Sequence, residues 1–189
     1  MKICIYGASG KNLRQEYFDA AFALGRLLAE GGHTLVFGGG SGGLMGACVR
    51  GAASLGGEIV GIAPRFFDEP GVLFPGCSRF VYTETMRERK AAMESESEGF
   101  IVLPGGIGTF EEFFEILTLR QLRRHEKPIA MLNTLGYYDE LLRLLEGAIA
   151  GGFLDALCLG LFALCDSPEQ ALAHVLDGGA CCNAPGTVL

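Results

Sequence analysis

Gly99-Phe-Ile-Val-Leu-Pro-Gly-Gly-Ile-Gly-Thr-Phe-Glu-Glu112 holds the unit from which the whole chain is built. An apolar run, Gly99–Leu103, has the length of a buried strand and stops at Pro104. Gly105, Gly106 and Gly108 then make a turn, and Thr109–Leu122 continues as a helix. Strand, glycine turn and helix repeat in both directions. Toward the N-terminus the spacing predicts strands at Lys2–Tyr6, Thr34–Phe37, Glu58–Ala63 and Arg79–Tyr82, with helices over Tyr17–Glu30, Leu44–Leu55 and Met86–Ser95. Pro64–Ser78, with three Pro and two Gly, reads as a long loop. Toward the C-terminus follow a strand at Pro128–Leu132, a helix over Tyr138–Ala150, a strand at Leu161–Leu164 and a helix over Ser167–Leu176. Ser167, Pro168 and Gln170 form a capping box at the start of that last helix.

Alternation of this kind predicts an α/β fold: one Rossmann-like domain over residues 1–178, with a doubly wound parallel sheet and helices on both faces. Residues 179–189 are expected to form an irregular tail. Such sheets bind ligands at the carboxyl ends of their strands. The glycine clusters Gly38–Gly43 and Gly105–Gly108 both fall there, on one edge of the expected sheet.

The chain has 189 residues, a net charge of −7 and no basic run. That balance argues against a nucleic-acid partner. No apolar run approaches the roughly 18 residues of a membrane span, and Lys2–Tyr6 reaches Gly7 too soon for a secretory signal. Seven cysteines, an odd number without a Cys-x-x-Cys pair, indicate a reducing, cytoplasmic setting. His33, His125 and His174 lack metal-ligand spacing, so no metal is expected.

Four features are candidates for chemistry, and each has a plain structural alternative. The glycine loop before Thr109 can present backbone N–H groups and a helix dipole to a phosphate, or simply make a tight turn. Thr109-x-x-Glu112 can be a capping box, or Glu112 can be a carboxylate held beside bound phosphate. Gly38–Gly46 can wrap part of a nucleotide, or pack its helix closely on the sheet. Met86, Arg89, Lys90 and Met93 share one helix face. That mixture suits a pocket wall for an anion and a flat ring, or two cations snorkelling from a half-buried helix.

Taken together, Met86-Arg-Glu-Arg-Lys90 and Leu103-Pro-Gly-Gly-Ile-Gly-Thr-Phe-Glu-Glu112 resemble the signature of the LONELY GUY family, the cytokinin riboside 5′-monophosphate phosphoribohydrolases. Phe37-Gly-Gly-Gly-Ser-Gly-Gly-Leu-Met-Gly46 and the Gln121–Asp139 run extend the resemblance over most of the chain. The resemblance implies hydrolysis of the N-glycosidic bond of a nucleoside 5′-monophosphate, with Arg89 and Glu112 as the catalytic pair and no cofactor. It places substrate contacts at Met86, Lys90, Gly105, Gly106, Ile107, Gly108, Thr109, Phe110, Glu111 and Thr118, with Glu69 as the loop acid. It also implies a homodimer. The family's older name, possible lysine decarboxylase, fits poorly. That reaction needs an electron sink such as pyridoxal phosphate, and the sequence shows no motif to anchor one. Leu119 and Arg123 stand where family members often carry Trp and Gly. These departures bear on the base end of the pocket, so plain AMP is the expected substrate. A molybdenum-cofactor carrier, binding without hydrolysis, is the alternative from a different class.

Overall fold

The computed structural model describes residues 1–179. The tail from 180 onward, with Cys181 and Cys182, lies outside the described residues. Seven strands form one wholly parallel sheet in the order β4-β3-β2-β1-β5-β6-β7. They are β1 Lys2–Tyr6, β2 Thr34–Phe37, β3 Ile59–Pro64, β4 Arg79–Thr83, β5 Gly99–Val102, β6 Ile129–Leu132 and β7 Ala163–Cys165. Helices α1 Gln15–Glu30, α2 Gly43–Ala53 and α6 Pro168–Leu176 cover one face. Helices α3 Met86–Glu96, α4 Ile107–Gln121 and α5 Asp139–Ala150 cover the other.

The strands are apolar on both sides because both sides are buried. Along β1, Ile3 and Ile5 enter the core under α1 and α2, while Cys4 and Tyr6 enter the core under α3 and α4. In β5, Ile101 faces the first core, and Phe100 and Val102 face the second. The chain winds outward from β1 to β4, then crosses back to lay β5 on the other side of β1. The crevice above β1 and β5 is therefore the topological switch point, where open α/β sheets hold ligands.

Several boundaries differ from the sequence expectation. Helix α4 begins at Ile107, two residues early, because Gly106 serves as its cap. The expected strand at Leu161–Leu164 is shorter, and Ala156–Leu161 winds as a 3₁₀ turn before it. The Pro64–Ser78 loop opens with a 3₁₀ turn at Arg65–Phe67. The α6 cap forms as expected: Ser167 Oγ accepts from the Gln170 amide at 3.2 Å. Gln170 Oε1 accepts from Asp166 N–H at 2.9 Å, one residue before the cap. No helix among the described residues is long and apolar enough to cross a membrane.

Candidate active site

Three strand-to-helix turns meet above the switch point and are tied to one another by backbone hydrogen bonds. The Ala8 amide donates to the Pro104 carbonyl at 3.0 Å, and the Leu44 amide donates to the Ala8 carbonyl at 2.8 Å. The β3–β4 loop is strapped onto the turn after β2. The Ser41 amide donates to Val72 O and the Phe74 amide to Gly39 O, each at 2.8 Å, and Ser41 Oγ donates to Gly71 O at 2.8 Å. Between these turns opens a cleft of about 670 Å³. Its walls are the β1 turn (Gly7 to Ser9, with Lys11), the β2 turn (Gly38, Gly40 to Gly42), Met45 of α2, the loop residues Phe67 and Gly71 to Leu73, Met86 and Arg89 of α3, and the start of α4.

Helix α4 reaches the cleft with its N-terminus open. Its cap residue, Gly106, has no side chain to satisfy the first-turn N–H groups, which have no acceptor within the helix. Ile107 is 87% exposed. Gly105 is glycine for a steric reason: a Cβ there would lie 2.1 Å from Thr109 Oγ1. Thr109 and Glu112 are the third and sixth residues of the helix, so the capping box does not form. Thr85 supplies the equivalent device at α3. Its side chain accepts from Glu88 N–H at 3.1 Å, and Glu88 Oε2 accepts from Glu84 N–H at 2.9 Å. That cap fixes the first turn of α3, one residue before Arg89.

Glu112 is instead paired with Arg89. Nη1 of Arg89 lies 3.1 Å from Glu112 Oε1, and the two side chains are only 7% and 9% exposed. Gly38 makes room for the guanidinium; a Cβ at that position would sit 2.0 Å from Arg89 Nη2. Arg89 Nε is buried and has no hydrogen-bond partner among the described residues. Burial pushes the Glu112 carboxyl up to about 7, against the opposing pull of Arg89. The site thus holds a carboxylate that titrates near neutrality, a fixed guanidinium with a donor to spare, and a helix N-terminus suited to an anion.

The structure brings Met86, Arg89, Gly106, Ile107, Gly108, Thr109, Glu111 and Glu112 together in the cleft. Other expected contacts lie elsewhere. Lys90 lines no part of the cleft; like Arg89 it faces α4, where it pairs with Glu111 and, at 2.6 Å, with Glu115. Gly105 directs its carbonyl to the Tyr137 hydroxyl at 2.5 Å. Phe110 packs edge-on against Tyr138 in the core. Thr118 is exposed and lines no part of the cleft, and Glu69 is exposed on the loop between the lining residues Phe67 and Gly71. Ser41 and Met45 of the Gly38–Gly46 segment also line the cleft, as one of its two readings allows, and the cleft further gains Lys11, Phe67 and Leu73, which sequence reasoning does not single out. Lys11 is within its reach, since it follows the turn after β1. Phe67 and Leu73 carry no local signal, because only the long-range strap to Ser41 and Gly39 brings them over the cleft. Among the described residues no group of three His, Cys, Asp or Glu is placed to hold a metal ion.

The family model described as "Possible lysine decarboxylase" matches residues 45–175. A "probable cytokinin riboside 5′-monophosphate phosphoribohydrolase" of Oryza sativa subsp. japonica is 36% identical over 94% of this chain and 77% of its own length. A cytokinin riboside 5′-monophosphate phosphoribohydrolase of Arabidopsis thaliana is 35% identical over 90% of this chain and 80% of its own. Among solved structures, the molybdenum cofactor carrier protein of Chlamydomonas reinhardtii superposes with a TM-score of 0.71. The match covers 94% of this chain and 96% of that one at 23% identity, a likeness that speaks to the fold alone. With matches of this extent to the family model and to curated relatives, the chain belongs to the LONELY GUY family of cytokinin riboside 5′-monophosphate phosphoribohydrolases.

Proposed function

We propose that this protein hydrolyses the N-glycosidic bond of a nucleoside 5′-monophosphate, releasing the free base and ribose 5-phosphate. The observation that carries this reading is the buried Arg89–Glu112 pair, set in one cleft with the open N-terminus of α4. Bond cleavage at C1′ develops positive charge on the ribose ring, and an adjacent carboxylate stabilises that charge while orienting water. Glu112 is the carboxylate for that role. The amides of Ile107 to Thr109 take the 5′-phosphate, and its binding energy positions the reacting carbon. Arg89 holds Glu112 in place through Nη1 and offers Nε to a substrate oxygen. We take AMP as the first substrate to test, with cytokinin riboside 5′-monophosphates as the other candidates that the relatives' names suggest.

The experiment is incubation of the purified protein with AMP and chromatography for adenine and ribose 5-phosphate, released one to one. Intact AMP recovered with the protein would favour the carrier reading, whose present support is the shared fold. We further infer a homodimer built on α4, where Ile107, Phe114 and Leu122 are 87%, 38% and 64% exposed at spacings of seven and eight residues. A cytoplasmic location accords with Cys4, Cys48, Cys77 and Cys158 lying outside any disulfide.

A further inference from the structure

We infer that Glu112 has a rear access to solvent. A small cavity of mixed lining between α3 and α4 holds water that solvates the carboxylate from behind and carries its proton to and from bulk. The inference rests on the hydrolase reading and adds a path to it.

The cavity has a volume of about 90 Å³ and is lined by Tyr6, Lys90, Glu94, Glu112, Glu115 and Leu119, among others. Among the described residues, Glu112 alone lines both this cavity and the front cleft. Glu112 therefore stands between the two spaces. A cavity of this size, in which Tyr6, Lys90, Glu94, Glu112 and Glu115 supply polar partners beside Ile116 and Leu119, has room for about three water molecules. Its outer rim is formed by half-buried side chains, Lys90, Glu94 and Glu115, so its water meets bulk solvent there.

The groups that face Glu112 leave few other routes for a proton. Arg89 and Lys90 approach from α3, Tyr6 and Cys4 from β1, and Glu111 and Glu115 from α4 itself, with Glu94 across the cavity. Arg89 is tied to Glu112 through Nη1. Burial holds the Tyr6 hydroxyl and the Cys4 thiol protonated. Lys90 is committed to Glu111 and Glu115. A nucleotide in the front cleft covers the other side of the carboxylate.

During turnover the oxygen of the attacking water bonds to C1′, and the C1′–N bond breaks with its electron pair moving to the base. The proton lost by the attacking water passes to Glu112 and leaves through the rear cavity. The base takes a proton from solvent at the cleft mouth. The net reaction consumes one water, and the carboxylate is reset without the product having to leave first.

Leu119 borders the cavity and lies outside the front cleft, so its size tunes the rear space alone. Leu119→Trp fills the cavity and Leu119→Ala enlarges it. The test is the titration of Glu112 by carbon-13 NMR with ribose 5-phosphate bound in the front, together with the acid limb of kcat/KM for AMP. In the wild type Glu112 continues to titrate with ribose 5-phosphate bound. The Trp variant moves both titrations up by about one pH unit, a roughly tenfold loss of the ionised form on the acid side, and the Ala variant moves them down. A merely structural role for Leu119 lowers activity in both variants without opposed shifts. Titration points unchanged within about 0.2 unit in both variants, or moving the same way, overturn the inference. The NMR arm needs no turnover, so a protein that fails to cleave AMP would refute the hydrolase reading and still leave the rear access decided. Leu119→Phe is the substitute should the Trp variant misfold.

Discussion

At position 38 even one extra carbon would enter the guanidinium of Arg89, since a Cβ there would lie 2.0 Å from Nη2, well inside van der Waals distance. Gly38→Ala should therefore displace Arg89 from Glu112 and lower kcat for AMP at least tenfold, with the sheet retained in circular dichroism. Turnover within twofold of wild type would show that the guanidinium's position is not critical. The same scale rules out one of the two readings of Glu112, that of a capping residue. Read as a capping residue, it would tolerate Gln without loss. Paired with a buried guanidinium, its replacement leaves an unpaired charge in the site, a change that is costly where burial is high. The spacing Thr109-x-x-Glu112 is legible and its capping meaning plausible, but the helix starts after Gly106, which stands in the extended conformation that precedes a helix. No local pattern reveals that shift of register. Arg123 is the opposite case. It has φ 54° and follows the last turn of α4, with its amide donating to Arg120 O and the Arg124 amide to Leu119 O. This is a Schellman closure, in which glycine is favoured at the left-handed position. Arg123 lines no part of the cleft, so the departure at this position acts on the backbone turn at the end of α4. Arg123→Gly should stabilise the protein by about 1 kcal/mol, read as a raised midpoint in urea. A lowered midpoint would mean that the arginine side chain makes a contact worth more than the strain.

Elements position the site more than any one residue does. The β5–α4 unit is readable from its glycine turn, and the alternation along the chain is enough to place both glycine clusters at strand carboxyl ends. What cannot be read is how the β3–β4 loop folds back. Its contribution of Phe67, Val72 and Leu73 depends on hydrogen bonds to Gly39 and Ser41, some thirty residues away in sequence. Lys90 departs from expectation for a related reason. It shares a helix face with Arg89 by spacing, but its ammonium is held by Glu111 and Glu115 of α4 and lines no part of the cleft. The open N-terminus of α4 carries its own prediction. If its amides hold the 5′-phosphate, adenosine should be at least tenfold poorer than AMP in kcat/KM. A ratio within about threefold would limit the phosphate's contribution to under ~1 kcal/mol at the transition state and remove the anion role from this helix.

For the whole molecule, the sheet order puts the switch point, the cleft and the Arg89–Glu112 pair on one edge, and the exposed apolar stripe of α4 starts at that same edge. An exposed stripe of this kind is costly in water for a monomer, so light scattering at micromolar concentration should give twice the chain mass of 20.1 kDa. A monomer mass would require another explanation for Phe114 and Leu122, which line no part of the cleft. The most direct test of the hydrolase reading is AMP turnover by the wild type beside Glu112→Gln, following adenine and ribose 5-phosphate together. The wild type should release both in equal amounts. The variant should keep its sheet, still bind AMP, and lose about 100-fold or more in kcat, the range typical of a lost general base or charge-stabilising group. Absence of adenine from the wild-type reaction, or a folded Glu112→Gln protein that turns over within a few-fold of wild type, would contradict it.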